Sequence, residues 1–169
     1  HLSLRRQRQM CIRDRNKLDQ NYQPTQGYML SFDQELPIYS DDLSVGNTLN
    51  FSKYHSVSDN LILSGKLFLK SVNSIDDDVR VSRRIYIPSK NLRGFEPGKI
   101  GPKDGVEYVG GNFGSALNLN STIPNVLNGF ENIDLNFFFD AATLREVDYD
   151  SSLESSKIRS STGLSLIHI

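Results

Sequence analysis

Apolar and polar residues alternate with a period of two over most of this chain, the pattern of strands whose two faces meet different surroundings. Tyr28, Leu30 and Phe32 are set against Met29, Ser31 and Asp33. Leu61, Leu63, Leu67 and Leu69 interleave with Ser64, Lys66, Phe68 and Lys70. Farther on, Phe113, Leu117, Leu119 and Ile123 oppose Gly114, Ala116, Asn118, Asn120 and Thr122, and Ile133, Leu135, Phe137 and Phe139 oppose Asp134, Asn136, Phe138 and Asp140. Weaker alternation predicts further strands at 45–57, at 79–87 and from 158 onward, about seven in all.

The clear strands run to about nine to eleven residues, enough for a tilted strand to cross a hydrocarbon layer, whereas strands of soluble proteins commonly have about five or six. No apolar run reaches the roughly eighteen residues of a membrane helix, so a membrane reading rests on strands. The minor faces carry Lys66, Lys70, Asn118, Asn120, Asn136 and Asp140, which suits the hydrated interior of a barrel. The same residues would face solvent in a soluble β-sandwich serving as an adhesion or ligand-binding module, and alternation alone leaves both architectures open. Segments 37–42, 71–78, 124–132 and 146–156 are rich in Pro, Gly, Asn, Asp and Ser and are predicted turns. The connection 88–111 is long for a link without structure of its own, and such loops are usually functional or disordered. Its aromatic and aliphatic residues are able to hold it against a wall.

Composition changes the picture at the ends. The first fifteen residues, HLSLRRQRQMCIRDR, are basic and unlike the body, and the last six are LSLIHI. Back-translated, residues 5–14 and 164–169 resemble the adapter and the reverse complement of the mosaic end used in transposase-based sequencing libraries. Residues 1–15 and 164–169 are therefore expected to be adapter-derived and to pack poorly, leaving 16–163 as native chain. A basic arm for nucleic acid or anionic lipid is the competing reading of the N-terminus. Without Arg5, Arg6, Arg8, Arg13, Arg15 and Asp14, the 19 basic and 20 acidic residues fall to 14 and 19. The remainder is acidic and offers no basic footprint for nucleic acid. Cys11 leaves as well, and with it any disulfide, thiol nucleophile or thiolate metal site.

Catalytic chemistry finds little support. His55 is the one histidine within 16–163, lies on a predicted strand and has no recognisable nucleophile motif near it. Asp76, Asp77 and Asp78 lack the glycine and terminal glutamate of a calcium loop and read as an acidic solvated turn. Gly94, Gly110 and Gly111 do not form a phosphate loop ahead of a helix. No catalytic residue, metal ligand or cofactor is expected.

Two motifs carry specific information: Leu92-Arg93-Gly94-Phe95, and Phe138-Phe139-Asp140-Ala141-Ala142. Here the chain resembles the BamA superfamily of outer-membrane assembly factors, the bacterial surface antigen barrels, whose sixth extracellular loop carries V/I/L-R-G-F/Y and whose thirteenth strand carries F-x-D-x-G. The surrounding residues agree in order and spacing: Pro24-Thr25-Gln26-Gly27-Tyr28, Leu36-Pro37, Ile100-Gly101-Pro102, Gly110-Gly111 and Ile158-Arg159-Ser160-Ser161-Thr162-Gly163. The resemblance implies an all-β antiparallel transmembrane barrel fragment, roughly strands eight to fourteen of a sixteen-stranded barrel, unclosed in this chain.

Period two supplies a physical check, because Phe138, Asp140 and Ala142 share one face opposite Phe137 and Phe139. With Ile133, Leu135, Phe137 and Phe139 toward lipid, the motif faces the lumen, where an Asp needs a partner. Family resemblance implies that the loop tip, Leu92, Arg93, Gly94 and Phe95, enters the barrel and pairs with a wall formed by Phe138, Asp140, Ala142 and Asn120; an Arg suits this role through its bidentate fork. Two departures stand out. Ala142 replaces the final glycine of the pattern, and Asn120 stands where many relatives have a carboxylate.

The resemblance also implies a function without enzyme activity: folding and insertion of β-barrel proteins into the bacterial outer membrane. Its implied partners are unfolded outer-membrane proteins, outer-membrane lipids and assembly lipoproteins. Within the same superfamily, a TamA-like autotransporter assembly factor or a two-partner secretion transporter remains open.

Overall fold

The computed structural model describes residues 8–37, 43–75, 78–126, 133–153 and 157–168. Asp76, Asp77 and most of the turns predicted at 37–42 and 124–132 lie outside them. Among the described residues nine strands follow in order: β1 (Arg8–Asn16), β2 (Gly27–Pro37), β3 (Ser44–Ser58), β4 (Leu61–Ser74), β5 (Lys103–Asp104), β6 (Glu107–Tyr108), β7 (Phe113–Ile123), β8 (Ile133–Arg145) and β9 (Arg159–His168). Seven form one antiparallel sheet in the order β1-β2-β3-β4-β7-β8-β9, while β5 and β6 make a separate small hairpin. The sheet is open, with β1 and β9 as its edges. Strands consecutive in sequence pair as neighbours except at β4 and β7, which pair across the long connection that holds β5 and β6.

Strand length separates the two architectures left open by alternation. β2 and β7 have 11 residues, β8 has 13, β4 has 14 and β3 has 15, all sufficient for a tilted membrane crossing. Among the described residues the other sheet is the two-stranded β5–β6 hairpin, too small to form the second layer of a sandwich, and no helix is long and apolar enough to span a bilayer. One face of the sheet stays bare and apolar: Leu117, Leu119, Phe137 and Phe139 are all exposed, as are Leu164 and Leu166.

The opposite face is covered by the long connection between β4 and β7. Val79, Ile85, Ile87, Leu92 and Ile100 from this connection are buried against Val72, Ala116, Ala142 and Leu144 of the wall, with Phe68 and Phe95 packed alongside. This is the buried apolar cluster of the described chain, and it exists because the loop turns inward. Gly101 permits one of the close approaches. Its φ of +107° favours glycine, and a Cβ there would lie 2.6 Å from Leu144 Cδ2.

Two expectations need correction. Residues 79–87 are not a strand: they contain a 3-10 turn at Val81–Arg83 and a single bridge between Ile85 and Gly111. Their alternating apolar residues mark contact with the wall, and β4 has no free edge for them because β7 already occupies it. The seventh strand of the sheet is instead Arg8–Asn16, which pairs with β2 from Arg8↔Pro37 to Asn16↔Met29. Edge pairing uses backbone groups alone and places few demands on side chains. Met10 to Arg15 are exposed, and the register sets Arg13 and Arg15 beside Phe32 and Leu30 on the bare apolar face.

Cross-strand register reveals the tilt of the strands. Reading across the bare face, the apolar stretch covers Tyr28 to Phe32 on β2, Leu49 and Phe51 on β3, Leu63 to Leu69 on β4, Leu117 to Ile123 on β7 and Leu135 to Phe139 on β8. The row through Tyr28, Lys53, Gly65, Leu119 and Phe139 is therefore the lower border of the band on β2 and lies near its middle on β7. Such a sideways drift is what a level membrane makes on strands inclined by about 35–45°.

A loop lock on the inner wall

Arg93 lies at the innermost turn of the loop, next to Leu92, whose exposure is 1%. Leu92 fixes the depth of the tip, and Gly94, with φ +81°, turns the chain back out. Period two on β8 sends Phe138, Asp140 and Ala142 toward this tip, as Phe137 and Phe139 point away.

The guanidinium meets the wall through a bidentate pair. Arg93 Nε donates to Asp140 Oδ2 at 2.7 Å and Nη2 donates to Asp140 Oδ1 at 2.7 Å. The backbone N–H of Arg93 adds a bond to Oδ2 at 3.1 Å. Two parallel charge-assisted bonds orient both groups as well as attracting them. Asp140 is 0% exposed, so its carboxylate depends on these donors in place of water, whereas the Arg93 side chain retains 32% exposure.

Asn120 takes part as a neutral acceptor, receiving Arg93 Nη2 at 2.8 Å. The guanidinium also lies over the Phe138 ring at 3.7 Å from its centroid, a cation–π geometry. Beneath that ring is Gly163 of β9, directly opposite Phe138 in register. A Cβ at Gly163 would meet Phe138 Cζ at 2.7 Å. Gly163→Ala is accordingly expected to displace the ring, weaken its stacking with Arg93 and cost about 1–3 kcal/mol, the usual range for overpacking. Thermal unfolding of the full-length protein checks this; an unchanged midpoint would mean that the ring does not need the notch.

Ala142 occupies a different place from the rest of the motif. It is buried in the apolar cluster, opposite Ala116, and has no part in the polar contacts. Tight glycine contacts between loop and wall fall instead at Gly101, Gly111 and Gly114, and within the wall at Gly163. The extra methyl of Ala142 therefore packs without touching the arginine clamp.

Several contributing residues are not evident from the motifs. Asn118, buried at 4% exposure, donates through Nδ2 to Asp140 Oδ1 at 2.8 Å and to the carbonyl of Asn91 at 2.9 Å. It thereby joins the loop backbone to the wall carboxylate. Its parity with Asn120 was the available signal, since residues two apart share a face. Farther out, Arg84 pairs with Asp148 at 3.5 Å and stacks on Tyr149 at 4.5 Å, and Arg83 pairs with Glu35 at 3.2 Å. These contacts join elements distant in sequence, and no local pattern announces them. His55 lies on the bare face, away from the lock. The described part of the acidic turn holds Asp78, and the site contains no histidine or cysteine among its described residues.

The arrangement anchors a loop; its residues bind and orient. A polar hollow lies below it, lined in part by Tyr54, Lys66, Arg93, Asn120, Thr122 and Asn136.

The family model described as the Omp85 superfamily domain matches residues 14–169. Among solved structures, the chain is similar to BamA from Haemophilus ducreyi lacking POTRA domains 1-3, with a TM-score of 0.80 and 25% sequence identity. The similarity covers 90% of this chain and 34% of that one, so the chain spans about a third of the length of the protein it matches. Curated proteins give no match.

Proposed function

The chain belongs to the Omp85 superfamily, and from that premise we propose that it is part of the barrel of a BamA-type factor that folds and inserts other β-barrel proteins. It is a piece of a bacterial outer-membrane β-barrel, similar to the BamA barrel and unclosed in itself. The observation that carries the functional reading is the clamp of Arg93 on Asp140, because it fixes an inward loop against the wall of a membrane barrel. Leu92, Arg93, Gly94 and Phe95 act as the inserted tip. Phe138, Asp140 and Asn120 receive it, with Ala142 forming part of the apolar floor on which the loop rests.

Such a factor works by presenting edges and a shaped membrane to an incoming chain. Every backbone group of a strand entering lipid must find a partner, so a pre-formed sheet lowers the cost of insertion. Nothing in this role calls for a nucleophile, a metal or a nucleotide. Its partners are unfolded outer-membrane proteins, the surrounding lipids and the lipoproteins of an assembly machine.

The test is complementation. Cells depleted of their own assembly factor are given the full-length protein containing this segment, and the folded fraction of several outer-membrane proteins is read by heat-modifiable mobility. Restoration of general barrel assembly supports the proposal. Restoration of autotransporters alone indicates a TamA-like factor, export of one dedicated partner indicates a two-partner transporter, and either result overturns the BamA-type assignment.

A further inference from the structure

On the bare face of the sheet, Lys53 and His55 interrupt β3 directly below its apolar pair Leu49 and Phe51. Lys53 shares its cross-strand row with Tyr28 on one side and Gly65 on the other. Because the apolar band slopes across the strands, this row is its lower border on β2 and β3, toward the end where Asp59 and Asn60 link β3 to β4. Short links of this kind mark the periplasmic end of outer-membrane barrels. A tyrosine, a lysine and a histidine at that level have the amphipathic character of residues placed at a membrane–water boundary.

Gly65 adds shape to the chemistry. Its missing side chain opens a trough on the outer surface, walled by Leu63, Leu119, Phe137 and Phe139 and rimmed by Lys53 and His55. A Cβ at Gly65 would have only Leu119 Cδ2 for a neighbour, at 3.6 Å, so the space is open and not required by backbone packing. Among the described residues no carboxylate forms an ion pair with Lys53. A cation at the edge of hydrocarbon without a protein counter-charge calls for an anion that comes with the membrane.

We propose that this corner of the barrel wall is a binding site for an anionic phospholipid of the periplasmic leaflet, its phosphate held by Lys53 and His55 and one acyl chain lying in the Gly65 trough. The apolar trough and the cation stand side by side, as the two halves of a phospholipid do. The site rests on the reading of the bare face as lipid-facing, and it would give this section of the barrel a fixed annular lipid. A protein strand cannot add here by edge pairing, because β3 and β4 are paired on both sides.

The full-length protein is purified in micelles containing equal phosphatidylglycerol and phosphatidylethanolamine, and retained lipid is counted by native mass spectrometry. The expected result is preferential retention of phosphatidylglycerol, reduced about fivefold by Lys53→Gln, the weight of one lysine near an anionic membrane surface. Lys53→Arg should keep the preference, and Gly65→Leu should lower retention of both lipids by filling the trough. Equal retention of the two headgroups, or a preference unchanged in Lys53→Gln, would overturn the proposal, as would a bound protein in place of lipid. Insertion into vesicles, read by heat-modifiable mobility, separates the causes of failure. An inserted barrel without headgroup preference loses only this site, whereas a wild-type protein that does not insert loses the lipid-facing reading with it.

Discussion

Arg93→Ala in the full-length protein is expected to destabilise the barrel more than any other single truncation in the lock. It removes the bidentate pair and leaves the Asp140 carboxylate at 0% exposure, with Asn118 as its remaining side-chain donor. Breaking a buried charge pair costs about 3–5 kcal/mol when the abandoned charge cannot reach water. The partial exposure of Arg93 makes the reverse truncation milder. After Asp140→Ala, the guanidinium still has the Phe138 ring, the Asn120 carbonyl and solvent. Arg93→Lys should recover little, because an ammonium cannot span both carboxylate oxygens while lying flat on a ring. The measurement is a double-mutant cycle, Arg93→Ala with Asp140→Ala, scored by denaturant midpoint and by assembly of client barrels. Coupling of well over 1 kcal/mol is expected for groups in direct contact. Additive losses would show that the two residues do not cooperate, and the lock would have to be abandoned.

The asymmetry between what was and was not legible in the sequence has physical causes. Four strands stood out because one of their faces meets lipid continuously, and that makes the period-two signal long and clean. β8 shows it best, where Phe137 and Phe139 are exposed and Asp140 is fully buried. The same logic failed at 79–87, where alternate residues were buried by a loop lying on a wall, and alternation cannot distinguish that from pairing in a sheet. Arg93 and Asp140 were legible only through the family motifs and the shared parity of Phe138 and Asp140. The Asn118 bridge requires the register Asn118↔Asp140, a fact about two strands that neither strand contains alone. The notch at Gly163 is of the same kind. The slope of the apolar band likewise becomes visible only when five strands are set in register, so the membrane boundary at Lys53 could not be read from β3 by itself.

That slope sets the second large effect. Leu119 lies near the centre of the apolar band and is 45% exposed on the bare face, so Leu119→Arg would place a guanidinium close to the bilayer midplane. The expected cost is about 2–4 kcal/mol there, falling to roughly 0–1 near the interfaces. Ser64→Arg is the matched control, one residue from Gly65 on β4 but on the opposite face, where its side chain borders the polar hollow. Water and neighbouring polar groups can receive a cation in that position, and its cost should remain well below that of Leu119→Arg. The depth dependence gives a sharper check than the pair alone. An arginine at Lys53, on the band's lower border, should be close to neutral, although its row in the sheet is the same as that of Leu119. Stability of the three variants in vesicles, measured as the denaturant midpoint of heat-modifiable barrel, distinguishes the possibilities. Equal losses at Leu119 and Ser64 would refute the assignment of faces. Equal losses at Leu119 and Lys53 would refute the tilt, since one row would then lie at one depth.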